Sequence, residues 1–362
     1  MKKKIVFVMP NLSGGGAEKA MSQLAENLNR NKYQIIFIIF NKHNQIYLKK
    51  TKIKIIKLDT QKISYGIFKF ISSIKKINPE IIISSVSHLN LFISLIKFAL
   101  PKKTKLILRE SNFISNTLRL QDKSFIMRIF YNFFYNNCDK CLSFSKNHKK
   151  DILKNTNMDK NKIVIIPNLV NTKIIKKLSK YKIEKKYKKY FKNKTKKFII
   201  VGSLSYQKGI DIILNSLKYC KKNFLINILG EGSEYLKLKK IIYSNNLAKK
   251  VNIIPFKKNP FPFIKISDFL ILSSRFEGMS NVVLETLSLD KQIIYFNNPG
   301  ASTDLLKKIS KNLMLRSAKK KYIANVLDNI KVINKNSNEQ ILKKFQIKVI
   351  TRKYEKIIDD LL

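Results

Sequence analysis

The chain has 362 residues, of which 44% are hydrophobic, enough for two domains with their own cores. Its 73 lysines and arginines outnumber 23 aspartates and glutamates, giving a formal net charge of +50. Three cysteines and three histidines argue against a disulfide framework and a zinc-finger type of site. The basic excess has two explanations that the composition leaves open. One is AT-rich codon usage, and the other is a surface that attracts anionic lipid, nucleic acid or phosphorylated substrates.

Neither a secretory signal nor a membrane span is predicted. The apolar run near the start covers residues 5–10, which is too short for the core of a signal peptide. The stretch 81–100 is the nearest to a span, but it contains His88, Asn90 and Lys97. A buried strand followed by a helix fits it better. We therefore expect a cytoplasmic protein.

In the first half, short runs rich in Ile, Val and Phe alternate with amphipathic segments. The predicted strands are 5–9, 35–40, 80–84, 105–108, 140–144 and 163–166. The predicted helices are 17–29, 67–77, 89–100, 124–135 and 146–154. These strands are apolar on both faces, which is typical of a parallel sheet covered by helices.

The alternation breaks at 173–197, which holds thirteen lysines and one acid, Glu184. Such a run is typical of a solvated linker or an exposed helix. It then restarts with predicted strands 198–201, 224–229, 251–254, 269–272 and 292–296, and predicted helices 210–220, 235–245 and 281–289. This pattern predicts an α/β protein with two doubly wound Rossmann-like domains that face each other across a cleft. The predicted parts are a domain 1–170, a Lys-rich linker 171–197, a domain 198–337, and a helix 338–362 that could pack back across the junction.

Glycine-bearing turns follow three predicted strands, where open parallel sheets bind ligands. Gly14, Gly15 and Gly16 precede a helix, but Lys19 stands where the dinucleotide fingerprint needs its third glycine. Gly202 is followed by Lys208, which at that position can reach a diphosphate as a point charge. Gly230 begins a third such turn. Each is open to a second interpretation, a tight turn or a solvated lysine without a ligand.

The segment 275–285, RFEGMSNVVLE, places Glu277 in a loop before a predicted helix and Glu285 inside that helix. Two carboxylates in these positions can bind different parts of one ligand. The backbone N–H groups of 279–281 lie between them, at a helix N-terminus that favours an anion. The alternative is an ordinary helix start with two solvated acids.

With these motifs the sequence resembles a retaining glycosyltransferase of the GT-B fold, family 4 (glycosyltransferases group 1), of the kind that builds bacterial surface or lipid-linked glycans. The resemblance covers almost the whole chain. Its signature is the E-x7-E motif, met by Glu277 and Glu285. The G-x-L-x-x-x-K-G pattern is met at 202–209, and GEG at 230–232 and GGGAEK at 14–19 follow the family's order.

The resemblance implies a role for each motif. Glu277 would bind the donor sugar, Glu285 the ribose, and Lys208 the charge that develops on the leaving diphosphate. Lys208 and Glu277 are therefore the predicted catalytic residues. The predicted donor-binding residues are Gly202, Ser203, Lys208, Gly230, Glu277, Gly278, Met279, Ser280, Asn281 and Glu285. The predicted acceptor-side residues are Gly14, Gly15, Gly16, Glu110, Ser111 and Asn112.

Two positions depart from the family's pattern. Ser203 stands where the family often has arginine, so that Arg275 or another base would have to supply a phosphate contact. The stretch 108–113 lacks the histidine of many members, and Glu110, Ser111 or Asn112 would take over its contact with the acceptor. His88 is another candidate, and a general base stays unassigned.

The resemblance implies a nucleotide-sugar donor, UDP-linked by family frequency, and a lipid-linked or oligosaccharide acceptor. No cofactor and no metal are expected, and the chain has no D-x-D triplet. The segment 125–135, flanked by Lys123 and Lys140, combines aromatic and basic residues, which suits an anionic membrane surface at the inner face of the cell membrane. The alternatives are a core-packed helix for this segment and, for the chain, a basic nucleic-acid-binding protein or a non-catalytic nucleotide-sugar-binding subunit. No specific nucleic-acid partner is expected.

Overall fold

The structure, a computed structural model, describes residues 1–41, 46–48, 51–60, 62–119, 124–191, 195–309, 311–333 and 338–362. The chain divides into two compact units. The first unit comprises Met1–Leu169 and Phe345–Leu362, and the second comprises Val170–Lys344. Lys123, which was predicted to flank a membrane-binding segment, lies outside the described residues.

The first unit is built on a parallel sheet with the strand order β3-β2-β1-β4-β5-β6-β7. Its strands are β1 (Lys3–Met9), β2 (Tyr33–Ile39), β3 (Lys54–Lys57), β4 (Ile81–Ser85), β5 (Lys105–Arg109), β6 (Lys140–Ser143) and β7 (Ile163–Ile165). Its helices up to residue 155 are α1 (Gly16–Asn27), α2 (Ile67–Ile77), α3 (Ser87–Leu95), α4 (Ile114–Arg119), α5 (Ser124–Phe134) and α6 (Lys146–Asn155). The central strands are buried on both faces, because helices cover both sides of the sheet.

The second unit has a parallel sheet with the strand order β10-β9-β8-β11-β12-β13. Its strands are β8 (Lys196–Val201), β9 (Phe224–Leu229), β10 (Val251–Ile254), β11 (Phe269–Leu272), β12 (Gln292–Phe296) and β13 (Leu313–Leu315). Its helices are α7 (Thr172–Leu178), α8 (Lys185–Lys188), α9 (Ile210–Ser216), α10 (Tyr235–Ser244), α11 (Phe261–Ile266), α12 (Asn281–Ser288), α13 (Ala301–Leu306), α14 (Lys320–Asn329) and α15 (Glu339–Leu342). The predicted α/β class, with two doubly wound parallel sheets, is confirmed.

The last helix, α16 (Ile347–Leu361), belongs to the first unit and packs against α1. Its apolar face, which includes Ile350 and Ile358, joins the core under β1 and β2. Asp359 accepts a hydrogen bond from the Tyr33 hydroxyl, and Glu355 accepts one from the Asn29 N–H at 2.9 Å. The single helix expected over 338–362 is broken, because Gln346 is extended and starts α16 anew.

The Lys-rich stretch carries two short helices, α7 and α8, and lies within the second unit; residues 192–194 are outside the described part. Tyr187 anchors α8, since its ring is buried against Phe263 of α11. Within the described ranges, no helix is both long enough and apolar enough to cross a bilayer.

Candidate active site

Lys208 and Glu277 meet at the carboxyl edge of the second unit's sheet. The strand order reverses between β8 and β11, so the loops that follow these two strands are neighbours, and each carries one of the two residues. The Lys208 Nζ donates a hydrogen bond to Glu277 Oε1. The two side chains are 21% and 13% exposed, so the ion pair lies at the surface of a recess. If they separate, the lysine can bind an anionic group of a ligand and the carboxylate can accept hydrogen bonds from its hydroxyls.

The loop after β12 supports Glu277 from its other side. The Ser274 hydroxyl donates to Glu277 Oε1 at 3.2 Å, and the Asn298 side-chain amide donates to the Ser274 carbonyl oxygen. Ala301 N–H donates to the Gly278 carbonyl oxygen at 3.0 Å. The recess beside Glu277 is lined by Leu272, Ser274, Glu277, Phe296, Asn298, Pro299, Gly300, Ser302 and Thr303. Polar groups of this kind suit a ligand that carries hydroxyls.

Two glycines are required by close backbone approach. Any side chain at Gly230 would collide with the carbonyl oxygen of Gly202, which lies on the neighbouring strand end. Gly209, at φ +59°, has the left-handed conformation that favours glycine, and a Cβ there would collide with the Ser273 carbonyl oxygen. The predicted residues Gly202, Lys208 and Gly230 are thus brought together at one edge.

The predicted backbone anion site at 279–281 is partly occupied by the protein itself. The Ser280 N–H donates to the Ser302 hydroxyl at 2.8 Å, so this N–H does not point at an open ligand position. Ser302 follows β12, and sequence analysis missed it. Met279 and Ser280 are buried, as is Glu285 inside α12. A diphosphate that used the Ser280 N–H would have to displace Ser302.

Ser203 and Arg275, considered above for a phosphate contact, have protein partners. Ser203 is exposed, with its hydroxyl 3.2 Å from that of Ser205. The Arg275 guanidinium makes a two-pronged contact with the Asp211 carboxylate, at 2.8 and 2.7 Å. In this arrangement the Arg275 guanidinium is bound to Asp211 of the same protein.

In the first unit, the glycine loop after β1 is closed by its own acid. Glu18 lies three residues after Gly15, the residue that precedes α1, and its carboxylate accepts hydrogen bonds from the N–H groups of Gly15 and Glu18. This is one half of a capping box, because Gly15 has no side chain that could accept a hydrogen bond in return. Burial raises the pKa of Glu18 despite these bonds. The Gly14 carbonyl oxygen accepts a hydrogen bond from Tyr47 at 3.3 Å. An anion at this helix start would compete with Glu18.

Glu110 is fully buried, which sequence reasoning did not anticipate. Its carboxylate accepts hydrogen bonds from the hydroxyls of Ser87 and Tyr135, from the Asn90 amide at 3.5 Å and from the Ser111 N–H at 3.1 Å. A carboxylate with this many internal donors organises the strand ends around it. It does not reach the surface in this structure, so direct contact with an acceptor is not supported for Glu110.

Ser111 and Asn112 are partly exposed beside it. The Asn112 carbonyl oxygen lies 2.9 Å from His148 Nε2, and His148 Nδ1 accepts the Phe144 N–H at 3.1 Å. Nε2 therefore carries the proton, and this N–H donates a hydrogen bond to the Asn112 carbonyl oxygen. Burial lowers the pKa of His148, which keeps the ring neutral. This buried histidine supports the loop from behind, whereas His88 is exposed at the start of α3.

Two family models match consecutive parts of the chain. The Glycosyltransferase Family 4 model covers residues 14–174, and the Glycosyl transferases group 1 model covers 182–314. Together they span all three glycine-bearing turns, Lys208 and the two glutamates. The chain belongs to these glycosyltransferases. The resemblance to glycosyltransferases of group 1 and family 4 that the sequence motifs indicated is thereby confirmed.

The relatives of this glycosyltransferase include one whose name specifies a lipid-linked glycan. It is 31% identical over 235 residues to an uncharacterized glycosyltransferase of Methanocaldococcus jannaschii; the match spans 63% of this chain and 58% of that protein. It is 22% identical to the N-acetylgalactosamine-N,N'-diacetylbacillosaminyl-diphospho-undecaprenol 4-alpha-N-acetylgalactosaminyltransferase of Campylobacter jejuni, over 84% of this chain and 83% of that protein. Among solved structures, Anabaena HepE in complex with UDP and glucose superposes with a TM-score of 0.82, at 14% identity, over 99% of this chain and all of that chain. The GT-B fold predicted for the glycosyltransferase is therefore confirmed.

The residues that sequence reasoning missed in the glycosyltransferase share one signal. Asn298 and Ser302 follow β12, the neighbour of β11, and Ser274 follows β11 itself. Polar residues directly after a buried strand lie at the edge where parallel sheets bind ligands. Applying that rule to every strand would have found them. Within the described residues, no cluster of three His, Cys, Asp or Glu side chains is arranged to hold a metal ion.

Proposed function

We propose that the protein transfers a hexose or an N-acetylhexosamine from a UDP-linked donor to a lipid-linked glycan acceptor, with retention of the anomeric configuration, in the synthesis of a capsule or another surface polysaccharide. The observation that carries this proposal is the pairing of Lys208 with Glu277 at the switch point of the second unit's sheet. The relatives support it, since HepE has been solved with UDP and glucose, and the Campylobacter enzyme's name specifies a diphospho-undecaprenol acceptor.

The proposed roles follow from the charges and positions of the residues. Glu277 accepts hydrogen bonds from the hydroxyls of the donor sugar, and Ser274 keeps its carboxylate oriented. Lys208 turns from Glu277 to the diphosphate and stabilises the charge that develops as the nucleotide leaves. Glu285, farther along α12, binds the ribose. The backbone at Gly202, Gly230 and Gly278 approaches the donor closely, as glycine allows. The backbone N–H groups of Met279–Asn281 bind the diphosphate once it has displaced Ser302 from the Ser280 N–H.

The proposed chemistry is a displacement at the anomeric carbon of the donor. The bond from this carbon to the β-phosphate oxygen breaks, and its electron pair leaves on the UDP. The acceptor hydroxyl oxygen forms the new bond from the same face, and its proton passes to the oxygen of the departing phosphate. No protein base is needed for this transfer. Metal independence stays a prediction, which turnover in excess EDTA checks.

A donor screen tests this function. The purified chain is incubated with UDP-, GDP- and ADP-linked sugars, each with and without a polyprenyl-diphosphate-linked acceptor, and released nucleoside diphosphate is measured. We expect release with one or more UDP-sugars, stimulated by the acceptor, and an α-linked product if the donor is α-linked. No release with any donor, together with tight salt-sensitive RNA or DNA binding, would favour a nucleic-acid-binding protein instead. Donor binding without release would indicate a non-catalytic subunit.

For the acceptor, we propose access from an anionic membrane at the inner face of the cell membrane. Helix α5 presents an unpartnered apolar side: Phe125 and Phe133 are 75% and 71% exposed, and Ile126, Ile129 and Phe130 are also exposed. Their spacing of four residues places them on one side of the helix, with the exposed Arg128 beside them. Aromatic residues next to cations are typical of helices that lie in a lipid headgroup layer.

We expect the double variant Phe125→Ser/Phe133→Ser to bind phosphatidylglycerol vesicles about tenfold or more weakly, since each ring contributes on the order of 1 kcal/mol when half buried in lipid. The measurement is co-sedimentation with vesicles at low and high salt. Leu236→Ser/Tyr243→Ser removes two similarly exposed residues from α10 of the second unit and is the matched control. Equal binding of the wild-type chain to phosphatidylcholine vesicles in high salt would contradict the electrostatic part of this proposal.

A further inference from the structure

We propose that Arg275 and Asp211 are positioning residues that hold the loops of Lys208 and Glu277 together as one rigid piece. The proposal rests on the function assigned to those two residues. It adds the requirement that the two loops stay aligned while Lys208 and Glu277 bind the donor. When the donor binds, Lys208 and Glu277 must separate so that each can face its own ligand group. Their ion pair therefore cannot be what keeps the two loops aligned during turnover.

The Arg275 guanidinium makes three hydrogen bonds to the segment around Lys208. Nη1 donates to the Tyr206 carbonyl oxygen and to Asp211 Oδ1, both at 2.8 Å, and Nη2 donates to Asp211 Oδ2 at 2.7 Å. The guanidinium carbon also lies 4.1 Å from the centre of the Tyr206 ring. A two-pronged arginine–carboxylate contact fixes both distance and angle, which a single hydrogen bond does not.

Three further hydrogen bonds join the same two loops on either side of this contact. The Arg275 N–H donates to the Gln207 carbonyl oxygen at 2.8 Å, and the Gln207 side-chain amide donates to the Phe276 carbonyl oxygen at 3.0 Å. The Ser273 hydroxyl donates to the Lys208 carbonyl oxygen at 2.6 Å. The main chain next to Lys208 is thus tied to the main chain next to Glu277 at several points.

The pKa shifts of Asp211 and Arg275 agree with a lasting contact between the two side chains. Partial burial alone would raise the pKa of Asp211, but the hydrogen bonds and charge of Arg275 outweigh it and keep that pKa below its ordinary value. The hydrogen bonds to Asp211 likewise raise the pKa of Arg275. Both shifts favour the ionised forms that the contact needs. The side chains are only 22% and 18% exposed, so solvent screening is reduced.

The physical consequence is precision at the reacting centre. Lys208 has a long flexible side chain, and its ammonium can stabilise the leaving group only if its main chain is held at a fixed distance from the bound sugar. A displacement of about 1 Å between such groups can cost about a hundredfold in rate. Without the clamp, each loop would move with its own helix, α9 or α12.

Hydrogen exchange of the ligand-free protein tests the clamp without any substrate. We expect Asp211→Asn to speed amide exchange in two segments together, 204–209 and 273–280. The matched control is Glu184→Gln, which breaks an ion pair to Lys257 of similar length, 2.7 Å, elsewhere in the same unit. It should leave both segments unchanged. Unchanged exchange in Asp211→Asn, or faster exchange in only one segment, would overturn the proposal even if the protein proves to have another function.

Kinetics separate positioning from direct phosphate binding. With the best donor from the screen, we expect Arg275→Lys and Asp211→Asn each to lower kcat about 10- to 100-fold, with donor KM and the Kd for UDP within about threefold. The kcat of the double variant should be no lower than that of the less active single variant, because each substitution removes the same contact between Arg275 and Asp211. If Arg275 instead bound the diphosphate, Arg275→Lys would raise the Kd for UDP, and Asp211→Asn would leave it unchanged or lower it. That outcome would overturn the clamp.

Discussion

Replacing Glu277 with glutamine is expected to lower turnover by a factor on the order of 10²–10³ while leaving UDP binding intact or tighter. Turnover falls because the amide has no charge and presents an NH2 donor in place of the second acceptor oxygen of the carboxylate. UDP binding improves because Lys208, which donates to Glu277 Oε1 in the free protein, loses its competing partner. A partly exposed ion pair contributes up to about 1 kcal/mol, which corresponds to about a fivefold change in Kd.

Lys208→Ala should lower turnover to a similar degree, but with the opposite effect on UDP. The variant removes the cation that neutralises the diphosphate, so the Kd for UDP should rise. Calorimetric titration with UDP, beside turnover of the best donor, distinguishes the two variants. Tyr219→Ala, an exposed aromatic change in the same unit, is the control for general damage. Retained turnover in both variants would remove Lys208 and Glu277 from the active site.

Glu110→Ala is expected to destabilise the first unit by about 3–5 kcal/mol, because it strands buried donors. The hydroxyls of Ser87 and Tyr135 and the N–H of Ser111 would lose their acceptor in a site with no access to bulk water. Urea-induced unfolding followed by circular dichroism measures the loss. Hydrogen exchange in β5 assigns it to the first unit, since a protein of two units need not unfold in one step.

Ser111→Ala is the matched control, because Ser111 is the partly exposed neighbour and its N–H remains in the variant. Its free energy of unfolding should change by less than about 0.5 kcal/mol. The prediction would be contradicted by a Glu110→Ala protein that has normal stability and an acceptor KM raised tenfold or more. Glu110 would then contact the acceptor directly, and its burial in the free protein would not describe the working state.

The two sheets were predictable because their strands are apolar on both faces. Ile5–Met9 and Phe269–Leu272, for example, are buried throughout, as is typical of strands in a parallel sheet covered by helices on both sides. Most elements that were missed are short or lie at an edge, and the ten-residue helix α14 is an exception. Strand β3 reads KIIK and is only half buried, so it lacks the continuous apolar signal. Helices α11 and α13 have six residues each, too few for a clear helical period.

The site was predictable in part for a related reason. Lys208 and Glu277 stand at the ends of neighbouring strands, and topology alone brings such residues together. The sequence does not show which backbone N–H groups are already hydrogen-bonded to the protein's own side chains. The Ser280 N–H is taken by Ser302, and the α1 N-terminus by Glu18. Whether Ser302 and Glu18 reach these N–H groups depends on the directions of their side chains in three dimensions. The burial of Glu110 likewise depends on the direction of its side chain.

The placement of α16 has a consequence for the order in which the chain becomes structured during synthesis. The first unit draws five core side chains from this helix, Ile347, Ile350, Tyr354, Ile357 and Ile358, although about 175 residues of the second unit are made in between. The second unit is continuous and can fold as soon as it leaves the ribosome. Nascent chains would therefore carry a folded second unit while one apolar side of the N-terminal sheet is still partly uncovered. Chaperones that recognise such surfaces would meet the N-terminal half of this protein until its last helix emerges.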